Sequence, residues 1–331
     1  MSALVRVRAC ELKVGMDVVM PVSWDAHPFL KNEFVLVSAG QIEKIIRYGI
    51  RDVQVDPEKS LIPVVLPSEK WEESDDDCRD APAEDPQAVV LDALYDVIHD
   101  ASLQPLEKSR LVRKNSLLMM DNLLQRPTAE NIRKSKKAIT EIVELILKDE
   151  EAAEGLIQIT DHDYYTYTHS VNVGLWAVSL AKTLYRDSWG HDLHEIGSGF
   201  FLHDIGKVRI DPGIINKPGR LTYEEMEEMK RHPAHGFRIL SETRQLTEES
   251  KIIVLQHHER QNGAGYPKGL QGDQIHPYAK ICAIADVFDA LTSNRPYRLG
   301  SKPFEALKIM QNQMIGHFQG NLFEKFVVML S

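Results

Sequence analysis

An apolar run that ends in charged side chains is the feature that most restricts how this chain can fold. The run Phe200-Phe201-Leu202 leads directly into His203 and Asp204. We expect Asp204 to be at least partly buried, and a buried carboxylate stays ionised only beside a cation or strong hydrogen-bond donors. Imidazole nitrogen and carboxylate oxygen together suit iron, manganese or zinc. A His-Asp pair is common by itself, so a metal site requires further ligands elsewhere in the chain.

Further candidate ligands lie in segments with helical apolar periodicity: His169, His232, His257, His258 and Asp286. His169 falls in the first turns of a predicted helix, where a lone histidine is more often a hydrogen-bonded core residue than a ligand. His257 and His258 are adjacent at the end of another predicted helix, so their side chains point about 100° apart. Two metal ions could therefore each take one imidazole, and Asp204 could bridge the ions with its two oxygens.

Four other polar residues near these candidates each have a functional and a structural interpretation. His235 and Asp289 lie three residues beyond His232 and Asp286, where they could support a ligand, face the surface or cap a backbone group. The guanidinium groups of Arg295 and Arg298 match phosphate oxygens. Cations near the end of a helix are also common without any ligand.

The loop after the histidine pair, Asn262-Gly263-Ala264-Gly265-Tyr266-Pro267-Lys268-Gly269, contains three glycines. Their backbone is free to approach a ligand closely, and Tyr266 offers a hydroxyl group and a stacking face. Taken alone, the loop is better explained as an ordinary Asn-Gly turn.

Composition excludes several classes of function. The chain has 331 residues, a formal net charge of −10, and three distant cysteines, Cys10, Cys78 and Cys282. The negative charge argues against a general nucleic-acid-binding protein. The cysteines form neither a disulfide framework nor a thiolate zinc site, which is typical of a reducing cytoplasm. No apolar run approaches the ~18 residues of a membrane span, and no secretory signal is recognisable, so a cytoplasmic protein is predicted.

The patterning predicts two domains joined by a linker. Residues 1–64 are predicted to be a small α+β regulatory or interaction domain, with strands at 5–7, 17–20, 28–30, 34–37 and 53–55 and a helix at 39–48. Residues 65–86 are acidic and are predicted to be a flexible linker. Residues 87–331 are predicted to be mainly α-helical.

Within the helical domain, the pattern predicts helices at 128–147, 164–185, 193–204, 222–232, 247–259, 279–292, 304–320 and 322–330. Thr222 followed by Glu225 resembles a capping box at one of these starts. The helices before residue 150 either pack beside the candidate ligands or pair two subunits. A homodimer is therefore compatible with the sequence.

Taken together, these motifs resemble the HD-GYP family of cyclic dinucleotide phosphodiesterases, a branch of the HD phosphohydrolases. The matching residues are His169, His203-Asp204-Ile205-Gly206-Lys207, His232, His257-His258-Glu259-Arg260, Gly265-Tyr266-Pro267 and Asp286, within residues 160–315. Residues 1–64 also resemble the small N-terminal domain found before many such domains. That domain or the GYP loop could bind a signalling partner.

The resemblance implies an HD-type helical bundle with a non-haem iron or manganese centre that hydrolyses cyclic di-GMP to pGpG and often on to GMP. It implies seven metal ligands, with Asp204 bridging: His169, His203, Asp204, His232, His257, His258 and Asp286. It also implies that Lys207 and Arg295 hold the scissile phosphate, and that Tyr266 and Arg298 contact the dinucleotide. Two cations would stabilise the entering and leaving oxygens.

Two departures from the family pattern refine these expectations. Members that hold a third metal carry a glutamate where this chain has Tyr165, so two metals are predicted. Asn262 replaces the usual aspartate before the GYP glycine, which weakens a loop contact or shifts substrate preference. Three other functions stay open: hydrolysis of another cyclic dinucleotide such as cyclic GMP-AMP, a catalytically silent cyclic di-GMP receptor, and a generic HD nucleotide hydrolase.

Overall fold

The computed structural model describes residues 4–21, 33–36, 38–47, 50–64, 86–159, 166–185, 190–294, 299–314 and 316–330. The chain divides into two compact units, residues 1–86 and residues 87–331. The predicted linker, apart from its last residue, and the predicted strand at 28–30 lie outside the described residues.

The first unit contains a four-stranded antiparallel sheet and one helix. The elements are β1 (Val5–Arg8), β2 (Asp17–Val19), β3 (Glu33–Val35), α1 (Ala39–Arg47) and β4 (Asp52–Asp56). The strand order is β1-β4-β2-β3, with Val7 opposite Val53 and Val18 opposite Val55. Alternation along the strands buries one apolar face against α1. The four strands predicted within the described residues and the helix are confirmed.

The second unit is mainly α-helical in its described residues, as predicted. Its α-helices are α2 (Pro86–His99), α3 (Pro105–Gln125), α4 (Ala129–Lys148), α5 (Glu150–Gln158), α6 (Thr166–Tyr185), α7 (Leu193–Phe201), α8 (Pro212–Ile215), α9 (Tyr223–Met229), α10 (His232–Thr243), α11 (Glu248–Gln256), α12 (Pro277–Thr292), α13 (Pro303–Gln313) and α14 (Gly320–Met329). A 3₁₀ helix follows α7 at Ile205–Arg209. Helices α5, α8 and α10 were not predicted.

Helix α6 is the centre of the helical unit. Every residue from Thr168 to Ala181 is buried, so the helix is enclosed on all faces by neighbours that include α3, α7 and α12. A Cβ atom at Gly174 would lie 2.5 Å from the Phe201 ring, so only glycine permits this approach of α7. The start of α6 thereby lies beside the end of α7, where the His-Asp motif is found.

Four predicted helices end earlier than expected, and for two of them the reason is a tertiary contact or a proline. The helix predicted at 193–204 ends at Phe201, since Gly206 must contact α10 so closely that a Cβ atom would overlap the His232 carbonyl oxygen. Pro233 has no N–H for the Met229 carbonyl, so the helix predicted at 222–232 stops there.

The other differences concern the last helices of the chain. The helix predicted at 247–259 ends at Gln256, with His257 as its C-terminal cap. The helix predicted at 304–320 ends at Gln313, and Gly316 follows with a φ of 80°, in the left-handed region that interrupts a helix. The capping box at Thr222 and Glu225 is confirmed.

Candidate metal centre

The seven predicted ligands come from five helix segments and lie together in the helical unit. His169 is in the first turn of α6, His203 and Asp204 follow α7, His232 begins α10, His257 and His258 follow α11, and Asp286 lies within α12. Two groups of these residues have ligand atoms close enough to share an ion: His169, His203 and Asp204, and Asp204, His232, His257 and His258. Asp204 belongs to both.

Asp204 lies at the centre of this arrangement, with one carboxylate oxygen directed to each side. Its Oδ1 is 3.2 Å from His232 Nε2 and 3.8 Å from His257 Nε2. Its Oδ2 is 3.3 Å from His169 Nε2 and 3.5 Å from His203 Nε2. The carboxylate is 1% exposed, and among the described residues no hydrogen bond to Oδ1 is formed. We call the two sides the His232 half and the His169 half.

Local backbone carbonyls assign the tautomers of three imidazoles. In each, Nδ1–H donates to the carbonyl three residues earlier: His203 to Phe200 (2.9 Å), His232 to Met229 (2.7 Å) and His257 to Val254 (2.8 Å). A carbonyl can only accept, so Nδ1 carries a proton, which leaves Nε2 as the metal-binding nitrogen of the neutral form. An oriented, neutral imidazole of this kind is the form that binds a metal.

The lone pairs of the His232 half converge on one point. His232 Nε2 and His257 Nε2 are 3.2 Å apart, and both face Asp204 Oδ1. Three groups that can each accept are directed at one another here, and such an arrangement needs a cation, either a proton or a metal ion, between them. The donor set of this half therefore fits a divalent cation, and the imidazole and carboxylate donors suit a first-row transition metal.

In the His169 half, three acceptors surround one imidazole. His169 Nε2 lies 3.2 Å from His203 Nε2 and 3.3 Å from Asp286 Oδ1, beside the Asp204 oxygen described above. Asp286 Oδ2 is in turn 3.5 Å from His258 Nδ1, so this carboxylate reaches towards both halves. His169, His203 and Asp204 could also hold one cation, with Asp286 beside them. His257 and His258 both lie in the other ligand group, which differs from the expectation that each would take a different ion.

The charge states agree with a site for cations. Burial disfavours the ionised carboxylate, but Lys207 and His203 outweigh it and hold the pKa of Asp204 well below its usual range. Burial also disfavours the ionised form of Asp286, but neighbouring imidazoles, chiefly His258, outweigh it and hold the pKa of Asp286 well below its usual range. Burial lowers the pKa of His257 well below its usual value, so that imidazole is neutral.

His169 differs from the other imidazoles in its proton affinity. Burial alone would disfavour its charged form, but hydrogen bonds to Asp204, Asp286 and Asp289 raise the pKa of His169 well above its ordinary value. A proton therefore occupies the position between these carboxylates when no metal is bound. A divalent cation would replace that proton, because metal ligands must be deprotonated.

Two predicted substrate contacts lie at the rim of the cluster. Lys207 Nζ is 2.6 Å from Asp204 Oδ2, and its side chain is only 11% exposed. The Tyr266 ring stacks on His258 with the ring centres 4.5 Å apart. Burial raises the pKa of the Tyr266 hydroxyl, so it stays protonated and can donate a hydrogen bond.

Glu259 attaches the GYP loop (residues 262–269) to the metal cluster. This residue is part of the matched motif, but no role was assigned to it from the sequence. Glu259 is 2% exposed, and its two carboxylate oxygens accept from the N–H groups of Lys268 (2.8 Å) and Leu270 (2.9 Å). A Cβ atom at Gly265 would overlap the backbone at Glu259, so the loop lies directly against the end of α11. The signal available in the sequence was that Glu259, an acidic residue, lies at the end of a helix predicted at 247–259.

The remaining predicted residues have the following positions. Asp289 Oδ2 accepts from His169 Nδ1 at 2.6 Å, so it supports a candidate ligand. His235 is half-buried and belongs to neither ligand group. Asn262 Oδ1 accepts from the N–H of Ala264 at 3.1 Å within the loop. Arg295, Arg298 and Tyr165 lie outside the described residues.

Among the helices that the structure describes, none combines the length and apolar character required to cross a membrane. Two family profiles match the chain. The family described as an HD domain matches residues 141–322, which include all seven candidate ligands. A domain of unknown function (DUF3391) matches residues 4–148, which extend from the first unit through α4.

Several relatives have established names. The cyclic di-GMP phosphodiesterase PA4108 of Pseudomonas aeruginosa is 31% identical over 339 residues, covering 98% of this chain and 76% of the relative. A cyclic di-GMP phosphodiesterase of Thermotoga maritima is 40% identical over 157 residues, 47% of this chain and 42% of the relative. The 3'3'-cGAMP-specific phosphodiesterase 2 of Vibrio cholerae is 41% identical over 124 residues, 37% of this chain and 24% of the relative.

A solved structure supports the fold. Bd1817, a HDG"Y"P protein from Bdellovibrio bacteriovorus, superimposes with a TM-score of 0.64 at 17% identity and covers 99% of both chains. The profile match exceeds half of the chain, and the relative in Pseudomonas aligns over nearly all of it. This chain therefore belongs to the HD-domain family, and its resemblance to the HD-GYP phosphodiesterases is confirmed.

Proposed function

We propose that this protein is a metal-dependent phosphodiesterase that hydrolyses cyclic di-GMP to linear pGpG. The observation that carries the proposal is the position of Asp204, whose two oxygens face two separate groups of imidazole nitrogens. A carboxylate in this position can bridge two cations, as two-metal phosphodiester chemistry requires. The names of the relatives in Pseudomonas aeruginosa and Thermotoga maritima support cyclic di-GMP as the substrate.

We assign two divalent cations, iron or manganese, to the two halves. The first would be held by His169, His203, Asp204 and Asp286, and the second by Asp204, His232, His257 and His258. Such a pair of cations supplies Lewis-acid stabilisation of the entering and leaving oxygens of the phosphodiester. The imidazole-rich donor set favours iron, whereas the carboxylate oxygens also suit manganese.

Side chains at the rim would bind the substrate. Lys207 places its ammonium group beside Asp204, where it can offset negative charge on the non-bridging oxygens of the scissile phosphate. Tyr266 presents a protonated hydroxyl and an aromatic ring that can contact a guanine base. Contacts from Arg295 and Arg298 stay predictions, as do a homodimer, a cytoplasmic location and a signalling partner for residues 1–64 or the GYP loop.

The test measures metal content and product together. The full-length protein is purified without oxygen, stripped with a chelator, and reloaded with Fe²⁺ or Mn²⁺. We expect two ions per chain, no turnover of the stripped protein, and release of pGpG from cyclic di-GMP on reloading; chromatography also shows whether GMP follows. Fewer than two ions per chain, or turnover that is unchanged after stripping, would contradict the proposal.

Cyclic GMP-AMP is the second candidate substrate. The observation that favours it is the similarity to the 3'3'-cGAMP-specific enzyme of Vibrio cholerae. Asn262, in the loop that carries Tyr266, is where substrate preference could differ. Comparing kcat/KM for the two dinucleotides on the reloaded protein decides between them.

A catalytically silent receptor is the alternative outside the enzymes. It would bind cyclic di-GMP with both metals present and release no pGpG. Lys207 and the complete ligand set argue against it, since dinucleotide binding alone does not require a pair of cations beside the phosphate. Equilibrium dialysis with the metal-loaded protein, followed by analysis of the recovered nucleotide, distinguishes binding from hydrolysis.

A further inference from the structure

One imidazole of the cluster is oriented differently from the three described above. His203, His232 and His257 donate to carbonyls of their own chain segments. His169 Nδ1 instead lies 2.6 Å from Oδ2 of Asp289, on helix α12. The orientation of His169 therefore depends on the packing of α6 against α12, and on whatever holds the Asp289 carboxylate.

Asp289 is held by three donors. Besides His169, its Oδ1 accepts from Asn172 Nδ2 at 2.6 Å and its Oδ2 accepts from Ser293 Oγ at 3.1 Å. The Asp289 side chain is 1% exposed, so each of these hydrogen bonds replaces a contact with water. Asn172 lies one helical turn after His169, on the same face of α6.

Asn172 connects this carboxylate to a third helix. Its Oδ1 accepts from Arg113 Nη2, on α3, at 2.6 Å, and both side chains are buried. An amide that donates through Nδ2 and accepts through Oδ1 has only one orientation that satisfies both neighbours. Arg113, Asn172, Asp289 and His169 thus form a continuous buried chain of hydrogen bonds, which we call the α3 relay.

The α3 relay begins outside the residues that match the HD domain. Arg113 lies in the region 4–148 that matches the domain of unknown function, whereas the HD match begins at residue 141. A guanidinium group is a permanent cation, and burying it is costly unless it stabilises something in return. Here it donates a charge-assisted hydrogen bond towards the anionic Asp289 through one intervening amide.

We propose that Arg113 is a positioning residue for the metal centre, acting through Asn172 and Asp289 to orient His169. The inference rests on the proposed function, because it concerns the ion assigned to the His169 half. It makes the effect one-sided: in the His232 half, His232 and His257 have local carbonyls as Nδ1 partners and the His258 Nδ1 faces Asp286, so none of these contacts involves the α3 relay. Partners behind a ligating imidazole typically change metal affinity 10- to 100-fold.

The experiment replaces Arg113 by methionine in the full-length protein and titrates the stripped protein with Mn²⁺, following bound and free ion by electron paramagnetic resonance. We expect the affinity for one of the two ions to fall about 10- to 100-fold and that for the other to stay unchanged. Asn172→Ala should give the same one-sided loss. The double variant should lose no more than either single variant, because both changes break one chain.

Lys182→Met is the matched control. Lys182 is a cation near the end of α6, the helix that carries His169 and Asn172. Its Nζ donates to the Ile146 carbonyl at 2.6 Å. This variant should lose thermal stability but bind both ions as the wild type does. Arg113→Lys keeps the charge and a donor, so it should recover part of the lost affinity.

Each outcome has one interpretation. Unchanged affinity for both ions in Arg113→Met, or an equal loss for both, overturns the positioning role. If Arg113→Met does not fold, the same readout on Arg113→Lys and Asn172→Ala decides the question, and wild-type affinity in Asn172→Ala overturns it. A wild-type protein that binds fewer than two ions contradicts the proposed function instead.

Discussion

The His232 half and the His169 half of the candidate metal centre face the same carboxylate but are oriented by different means. In the His232 half, carbonyls three residues earlier hold His232 and His257, so short stretches of chain set the geometry. In the His169 half, an imidazole from α6 depends on Asp289 of α12 and, through it, on α3. The comparison teaches that equivalent ligands can be oriented either locally or by the packing of distant helices.

The halves also differ in what they hold without a metal. Lone pairs face one another in the His232 half, whereas a proton on His169 is stabilised by three carboxylates in the other. A cation entering the first relieves repulsion, and a cation entering the second displaces a proton. The two ions should therefore bind with different dependence on pH.

The largest effect is expected from a substitution of Asp204, the residue that the two halves share. Asp204→Ala should abolish binding of both ions and lower kcat by about 10³-fold or more, since the charge stabilisation of the reaction is lost. Metal analysis and product release are measured together. Asp211→Ala is the control, because Asp211 caps α8 through the N–H of Gly213 and is not among the candidate ligands. Two ions in Asp204→Ala would refute the bridging role.

Breaking one half at a time should give two distinct single-ion proteins. His232→Gln should leave only the ion of the His169 half, and His169→Gln only the ion of the His232 half, with kcat lowered about 10²-fold or more in each. Mn²⁺ titration by electron paramagnetic resonance measures the stoichiometry. Loss of both ions in both variants would mean that the halves are not separate sites.

Lys207→Met tests substrate binding beside the shared carboxylate. Because Lys207 contacts Asp204 but is not among the candidate ligands, metal content should stay at two ions while kcat falls about 10²-fold. Lys217→Met, which removes the ion pair with Glu225, serves as the control. A lower metal content in Lys207→Met would instead assign this lysine to the metal centre.

A smaller effect is expected on the His232 side, where Glu259 holds the GYP loop. Glu259→Gln replaces one acceptor oxygen by an amide nitrogen, leaving the N–H of Lys268 or Leu270 without its partner at a cost of about 1–3 kcal/mol. We expect a raised KM with both ions retained. Glu248→Gln at the start of α11 is the matched control. An unchanged KM would remove the role of Glu259 in positioning Tyr266.

The smallest effect is a pH dependence of the His169 half. Burial disfavours the charged form of His169, but the carboxylates that contact it raise its pKa above the ordinary 6.5. A raised folded-state pKa stabilises the fold fully below the unfolded pKa and loses that contribution as the pH rises through the folded value. The Tm of the stripped protein should therefore fall as the pH rises above about 6.5.

Bound Mn²⁺ should reduce this fall, because the ion takes the place of the proton. Thermal unfolding followed by circular dichroism, with and without Mn²⁺, provides the comparison. His169→Gln removes the titrating group and should flatten the curve of the stripped protein. Equal slopes in the stripped wild type and in His169→Gln would contradict the assignment of the proton.

Much of this arrangement was predictable from the chain alone. The apolar periods located most of the helices, and the buried Asp204 indicated a cation before any geometry was known. The ends of the helices were less predictable. Helix α7 stops at Phe201 because Gly206 contacts α10, and no pattern within residues 193–204 contains that neighbour.

The supporting residues were hardest to identify. Glu259 was part of a matched motif, but its role depends on where the backbone of Lys268 and Leu270 returns. Arg113 and Asn172 belong to no motif that was assigned a role from the sequence, and they lie about 60 positions apart. Their importance lies in a contact between helices, which sequence spacing does not encode.

By itself, the sequence determined which chemistry was available: seven candidate imidazole and carboxylate ligands on helical segments. Only the three-dimensional structure decided how these groups lie around Asp204 and which carbonyls hold three of the imidazoles. It also decided that hydrogen bonds connect Arg113 through Asn172 and Asp289 to His169. The reason is physical. Periodicity and capping act within a few residues, whereas the distances between ligands depend on how closely separate helices pack.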